Sequence, residues 1–261
     1  MRGYSNPFSP TGKASLMLPT PHHYGGTYLT VVFRADPAAV RAAIPEQLDL
    51  VENGLGFAFI CDLTCYSDDP GLGARDPAWV QYQEGVISFE CSYKGQRGRT
   101  SPYLWVNRDW SMMFGWLNGW PKKVAEVELT RIHAHGINPA LPAFGAGTKL
   151  GGYVARQGAR VMDLQIELTK PSTDELPVAS VIYAVRHFPG MGPQVPAVHQ
   201  LVRNQTTGVV NRDVWEATGT VNFYDSENEE LAYLKPVEIV RCMYYRRGWT
   251  TSHEAELLEQ Y

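Results

Sequence analysis

This sequence lacks any apolar run near the length of about 20 residues that crosses a bilayer as a helix; its longer apolar runs, such as Gly56 to Cys61, fall far short. Its first residues, Met1-Arg2-Gly3-Tyr4-Ser5, lead into no signal-type apolar region. We therefore expect a cytoplasmic protein with no membrane partner. Cationic excess is missing too. The chain has 23 Lys plus Arg against 27 Asp plus Glu, a net charge of −4, and its cations are scattered. No basic stripe is available to neutralise a phosphate backbone, which argues against a nucleic-acid partner. Cysteine is scarce, with four residues (Cys61, Cys65, Cys91 and Cys242). Cys61 and Cys65 are four apart in a strand-like run without a nearby histidine, which is not a metal-site pattern, so buried reduced thiols and no metal are expected. Internal repeats and low-complexity segments are absent as well.

What remains is the composition of a folded chain with a large core: 44% hydrophobic and 19% charged residues, with 24 Gly and 18 Pro as punctuation. A single domain spanning 1–261 is expected. Most stretches alternate with period two, the mark of strands. Thr27 to Arg34 reads as a strand; Asp36-Pro37 then supplies an N-cap and a first-turn proline for a short helix ending before Pro45. Further strands are expected at Gly56–Tyr66, Val86–Tyr93, Lys123–His133, Gly151–Gln157, Arg160–Thr169, Ala179–His187, Gly208–Ala217, Thr218–Tyr224 and Pro236–Tyr245. Asn138 to Leu150 reads as a surface loop. Three segments look helical, the last a tail from Thr251, where Thr251 and Glu254 have capping-box spacing ahead of Leu257 and Leu258. Strands without crossover-length helices favour antiparallel pairing, and closure into a barrel removes exposed edges. The expected fold class is α+β, mainly antiparallel β and barrel-like.

The run Gly119-Trp120-Pro121-Lys122-Lys123 carries the chemistry. A lysine at the start of a strand is ordinarily solvated. Here the pair follows Phe114-Gly115-Trp116-Leu117-Asn118-Gly119-Trp120, which holds no charge. An amine held against such a surface loses hydration, which disfavours the ammonium form and suits a nucleophilic lysine. Pro121 fixes its own φ and biases Trp120 toward extended backbone. Extended Lys122 and Lys123 point to opposite faces, so one can enter a pocket while the other meets water or a neighbour.

At these residues the chain resembles the acetoacetate decarboxylase superfamily, whose founding enzyme is the standard instance of an activated lysine. The Pro-Lys-Lys element of that family carries the Schiff-base lysine as its first Lys, here Lys122. Phe33-Arg34-Ala35-Asp36 and Ile44-Pro45-Glu46-Gln47-Leu48 are similar to the family's opening strand and helix. Trp215 to Phe223 and Leu234-Lys235-Pro236-Val237-Glu238-Ile239-Val240 are similar to its closing strands. The resemblance implies a cone-shaped β-barrel, a lysine buried in its interior, no cofactor, homo-oligomers, and a glutamate partner on an upstream strand. Glu84 and Glu90 are the glutamates between Asn53 and Ala125. Glu84, ahead of Gly85-Val86-Ile87-Ser88-Phe89, stands at the family's approximate separation and would serve as general acid and base. Trp79, Tyr82, Gln83, Trp116 and Trp120 are candidate substrate contacts. His22 and His23 could hold a carboxylate or simply be exposed. Gly95-Gln96-Arg97-Gly98-Arg99 reads as a hairpin turn with solvated charges.

The chain departs from the family's decarboxylases where they carry an arginine before the first strand, here His23-Tyr24-Gly25-Gly26-Thr27, and a Gly-Arg-Glu, here Gly115-Trp116-Leu117. Both changes suggest a more apolar pocket. The expected activity is therefore a Schiff-base lyase joining pyruvate or a related 2-oxo acid to an aldehyde with loss of water, or hydrating an unsaturated 2-oxo acid. A β-keto acid decarboxylase is the nearest alternative, and a non-catalytic ligand-binding barrel is the competing class.

Overall fold

A computed structural model describes residues 1–69, 71–132, 140, 143–174, 176, 179–251 and 255–261. Strand β1 (His22–Arg34) runs into helix α1 (Pro37–Ala43). Asp36 caps that helix by accepting the N–H groups of Ala38 at 2.9 Å and Ala39 at 3.1 Å, and Pro37 occupies its first turn. The short β2 (Asp49–Leu50), β3 (Leu55–Tyr66) and the single-turn α2 (Leu72–Arg75) follow. Next come β4 (Gln81–Tyr93), β5 (Gln96–Val106), α3 (Asp109–Leu117), β6 (Lys122–Val124) and β7 (Glu126–Leu129). The second half is β8 (Lys149–Arg156), β9 (Ala159–Pro171), β10 (Val181–Phe188), β11 (Val198–Phe223), β12 (Glu238–Thr251) and β13 (Glu256–Gln260).

All of these strands belong to one sheet, ordered β10-β5-β4-β3-β1-β12-β11-β9-β8-β7. Its first seven members form a ring, because β10 also pairs with β11. Pairing is antiparallel except that β5 runs parallel to β10 and to β6. The closure is uneven. β10 meets β11 continuously from Val181↔Gln205 to Phe188↔Val198, but meets β5 only at Ile182↔Arg99 and Tyr183↔Thr100. Beyond the ring, β9, β8 and β7 turn back over its outside.

β1 is buried on both faces, which is why its sequence is apolar or β-branched almost throughout. Leu29, Val31 and Phe33 join the core between the two layers, whereas Tyr24, Tyr28 and Val32 join the core inside the ring. Glycines allow the layers to approach closely. A Cβ on Gly85 of β4 would lie 2.4 Å from Val154 of β8, and one on Gly152 of β8 would lie 3.1 Å from Ile60 of β3.

Four expectations change. The strand read as Lys123–His133 breaks at Ala125 into β6 and β7 and ends at Leu129; His133 lies outside the described residues. The strands read as Gly208–Ala217 and Thr218–Tyr224 are one strand, β11, irregular between Thr207 and Val210 and between Arg212 and Trp215. Of the loop read from Asn138, Lys149 and Leu150 are already in β8, and positions 138–139 and 141–142 lie outside the described residues. The tail is extended, not helical: β13 pairs with β11 (Leu201↔Glu259, Val202↔Leu257), and this pairing overrides the local capping spacing, whose Glu254 lies outside the described residues. All four cysteines are buried free thiols, as expected. No helix among the described residues is long and apolar enough to cross a membrane.

Candidate active site

The cavity lies inside the ring, and α3 and β6 bring Lys122 to it. In α3, Trp110, Ser111, Phe114 and Gly115 form the buried face; a spacing of four puts Ser111 and Gly115 on one side of the helix. The chain leaves α3 through Gly119, whose φ of 82° favours glycine. Trp120 N–H returns to Gly115 O at 2.8 Å, and Asn204 of β11 donates to Asn118 O at 2.9 Å. β6 then docks parallel to β5 with Lys122 opposite Leu104. Gly115 gives the lysine its channel, since a Cβ there would lie 2.5 Å from Lys122 Cδ.

Lys122 is 3% exposed. Its Nζ donates to Glu84 Oε2 at 2.7 Å and to Ser111 Oγ at 3.1 Å, and lies 5.4 Å and 5.5 Å from the ring centroids of Trp120 and Tyr82. Glu84 reaches it from β4, where it pairs with Cys61 of β3 and Val106 of β5. Around them, Tyr24 stacks on Trp249 at 4.7 Å and Tyr28 on Tyr245 at 5.0 Å. Burial, and to a lesser extent the charge of Glu84, pushes the Tyr82 phenol well above its ordinary range; burial does the same for Tyr24 and Tyr28. These phenols stay protonated and can donate hydrogen bonds.

Lys123 points the other way. Its Nζ donates at 2.8 Å to Glu229, whose side chain is fully enclosed and also meets Arg156 at 3.5 Å and Trp105 Nε1 at 3.4 Å. Of the other residues singled out in the sequence, Tyr82 and Trp120 line the cavity. Trp116 does not: it is 44% exposed, and its Nε1 donates to Lys122 O at 2.7 Å, so it braces the backbone of β6 from outside. Gln83 is on the opposite face of β4 from Glu84, bonded to Asp62 at 2.7 Å and to Asn107. Trp79 is half-buried in a short turn before β4, away from the cavity lining. Glu90 is engaged by Arg97 at 2.8 Å. His22 packs on Phe114 at 4.5 Å, and His23 is exposed near Asp68. Neither histidine lines the cavity.

The sequence reading of Arg99 as a solvated turn residue is corrected. The turn is confined to Lys94-Gly95 (φ 48° and 83°), Gln96 already pairs with Tyr93, and Arg99 lines the cavity together with Arg247 of β12. The wall is thus not simply apolar. Gly26, in the arginine-free segment His23–Thr27, pairs directly with Arg247 of β12.

The model of the family described as acetoacetate decarboxylase matches residues 5–261. The chain belongs to the acetoacetate decarboxylase family. An acetoacetate decarboxylase of Chromobacterium violaceum is 23% identical over 219 residues, covering 84% of this chain and 80% of that protein. Among solved structures, an acetoacetate decarboxylase-like enzyme from Sphingomonas wittichii RW1 is 28% identical, covers 100% of both chains and superposes with a TM-score of 0.92. The enduracididine biosynthesis enzyme MppR, complexed with the condensation product of pyruvate and imidazole 4-carboxaldehyde, is 26% identical with a TM-score of 0.88, covering 98% of this chain and 96% of MppR. MppR has the same identity and TM-score in its complex with pyruvate, over 100% of this chain and 98% of MppR. Family membership makes the chain a relative of enzymes, and its acetoacetate decarboxylase fold is the one expected from the sequence.

Proposed function

We propose that this protein is a Schiff-base lyase that condenses pyruvate or a related 2-oxo acid with an aldehyde and eliminates water. The observation that carries the reading is the Lys122–Glu84 pair, an amine 2.7 Å from one carboxylate inside an aromatic cavity. Proton transfer from Nζ to Glu84 yields a free amine and a neutral acid. The amine adds to the oxo carbon, the carbonyl oxygen leaves as water with protons supplied through Glu84, and an iminium forms. Glu84, now a carboxylate, takes a proton from the adjacent carbon to give an enamine. The enamine carbon attacks the aldehyde, whose oxygen takes the proton from Glu84 and becomes a hydroxyl. Glu84 then removes the second proton from the same nucleophilic carbon and passes it to that hydroxyl, which leaves as water as the double bond forms. Hydrolysis of the iminium frees Lys122 and an unsaturated 2-oxo acid. Ser111 and the Tyr82 phenol are placed to hold oxygen during these steps. Running the elimination backwards gives a hydratase.

The pyruvate condensation product named with MppR supports this reading over the alternative. The specific support for a β-keto acid decarboxylase is the Chromobacterium relative, an acetoacetate decarboxylase. Borohydride reduction with pyruvate tests the proposal, and the expected result is one reduced pyruvyl group on Lys122. With an added unsaturated aldehyde, a near-ultraviolet chromophore should grow, and CO2 release from acetoacetate should be slow. Rapid CO2 release from acetoacetate with no chromophore from any aldehyde would leave the decarboxylase reading standing. No adduct with any oxo acid would point to a non-catalytic barrel.

A further inference from the structure

The Lys122–Glu84 pair balances its own charge, but Arg99 and Arg247 have no ion-pair partner among the described residues. Neighbouring arginines have partners: Arg97 meets Glu52 at 2.7 Å and Glu90 at 2.8 Å, and Arg246 meets Asp213 at 3.1 Å. Among the described residues, neither Arg99 nor Arg247 has a carboxylate within ion-pair distance, although both are half-buried in the cavity wall. Arg99 bonds only neutral oxygens: Nε to Ala179 O at 3.3 Å, and Nη1 to Ser88 Oγ and Ser101 Oγ at 3.5 Å each. Its Nη2 has no hydrogen-bond partner among the described residues. Two guanidinium groups that line one cavity, with no carboxylate partner among the described residues, form a receptor for an acidic group, which they can bind through paired N–H donors.

Position separates this receptor from the lysine. Arg99 precedes Leu104, the β5 residue opposite Lys122, by five positions of a strand that bulges between Thr100 and Tyr103, at most about 16 Å of backbone at about 3.3 Å per residue. An imine on Nζ keeps a pyruvate carboxylate one carbon from the bonded atom, at the lysine end. The electrostatics follow the same geography. Burial first, and then Arg247, hold the Arg99 guanidinium below its ordinary range, with Glu84 acting less strongly in the opposite sense. Tyr28, Tyr245 and Trp249 line the same cavity, and Arg247 stands between Tyr245 and Trp249 along β12.

Building on the lyase reading, we propose that Arg99 and Arg247 form a distal anion subsite, and that the aldehyde condensing with the Lys122-bound oxo acid carries a carboxylate of its own across a flat body. The test compares pyruvate condensation with para-carboxybenzaldehyde and with its neutral methyl ester. In the wild type, kcat/KM for the acid should exceed that for the ester by about 10- to 100-fold, the size of a hydrogen-bonded charge interaction. Arg247→Met should erase the preference while a borohydride-trapped pyruvate adduct still forms, and Arg247→Lys should restore part of it. Arg99→Met should also erase it, but Arg99 ties the β5–β10 seam, so the Arg247 variants are decisive. Calorimetric binding of unreactive para-toluate, compared with its methyl ester, reads the subsite without Lys122 chemistry. If no oxo acid forms an adduct yet para-toluate binds in an Arg247-dependent way, the lyase reading fails and the subsite stands. Equal rates for acid and ester in the wild type, with no Arg247-dependent binding of para-toluate, would overturn the subsite. So would loss of the pyruvate adduct in Arg247→Met, which would give the arginines to the oxo acid's own carboxylate.

Discussion

Replacing Lys122 and Lys123 in turn by Met separates chemistry from folding at adjacent residues. Lys122→Met removes the cavity's amine and leaves Glu84, whose side chain is 14% exposed and so not fully cut off from solvent. The fold should survive, and no borohydride-trapped adduct should form. Lys123→Met removes a cation from Glu229, whose side chain is 0% exposed. Breaking a fully buried pair costs about 3–5 kcal/mol. Here the lysine side chain is itself 38% exposed and Arg156 remains at 3.5 Å. The loss should therefore shrink to about 1–3 kcal/mol, or about 2–12 °C in Tm for a chain of this size. Adduct formation should remain within about threefold of wild type, since the substituted side chain never enters the cavity. Urea titration with adduct mass spectrometry reads both quantities on one sample. Adding Glu229→Gln to Lys123→Met should lower stability further, because Arg156, 3.5 Å from Glu229, then loses its carboxylate partner. A folded Lys123→Met protein as inert as Lys122→Met would refute the assignment of opposite faces.

Glu84→Gln should slow turnover by about 10²- to 10⁴-fold, the usual general acid-base contribution, while some adduct still forms; wild-type rates would move the proton to another group. Gly115→Ala should drive a methyl group into the Lys122 side chain, 2.5 Å from Cδ, and slow adduct formation by about 10- to 100-fold with far-ultraviolet circular dichroism unchanged. Burial pushes the Cys65 and Cys91 thiols up to about 12. A raised folded-state value means that the unfolded chain gives up these protons first. Stability should therefore be unaffected by them below about pH 9 and fall as pH rises from about 9 to about 12, by up to about 1.4 kcal/mol per unit for each thiol. Chemical denaturation across that range, compared with Cys65→Ser and Cys91→Ser variants, checks this; a flat profile would show the thiols to be solvated.

The elements legible in the sequence are those fixed by local rules. β1 and α1 follow from alternation and from the Asp36-Pro37 cap, both properties of neighbouring residues. Lys122 stood out through its uncharged, tryptophan-rich surroundings, whereas Glu84 became a candidate only through family resemblance, because nothing local distinguishes it from Glu90. Arg99 was hidden for a physical reason. Its burial depends on β10 and β12, more than eighty residues away, and its hairpin turn looked solvated because half of it is. Glu229 gave no signal either, since its burial comes from distant Trp105, Lys123 and Arg156. The tail beyond Thr251 misled because its spacing suits a helix cap, while the open edge of β11 offers backbone partners that a local pattern cannot reveal. A signal that could have exposed Arg99 is the alternation Arg97-Gly98-Arg99-Thr100-Ser101 running on into Tyr103-Leu104-Trp105, one continuous strand.

β12 supplies Tyr245, Arg247, Trp249 and Thr251 to the cavity, alternate residues of a single strand. Lys122, Glu84 and Ser111 come from β6, β4 and α3, all from the first half of the chain. Much of the cavity wall is thus written in a stretch of the gene separate from the Lys122–Glu84–Ser111 cluster, with Arg99 of β5, Tyr82 and Trp120 the exceptions. A library randomised at only Arg247, Trp249 and Thr251 would reshape that wall of the cavity without touching Lys122, Glu84 or the helix behind them. Selection under changing substrates could follow the same route, with drift in β12 redrawing the repertoire while the chemistry stays constant.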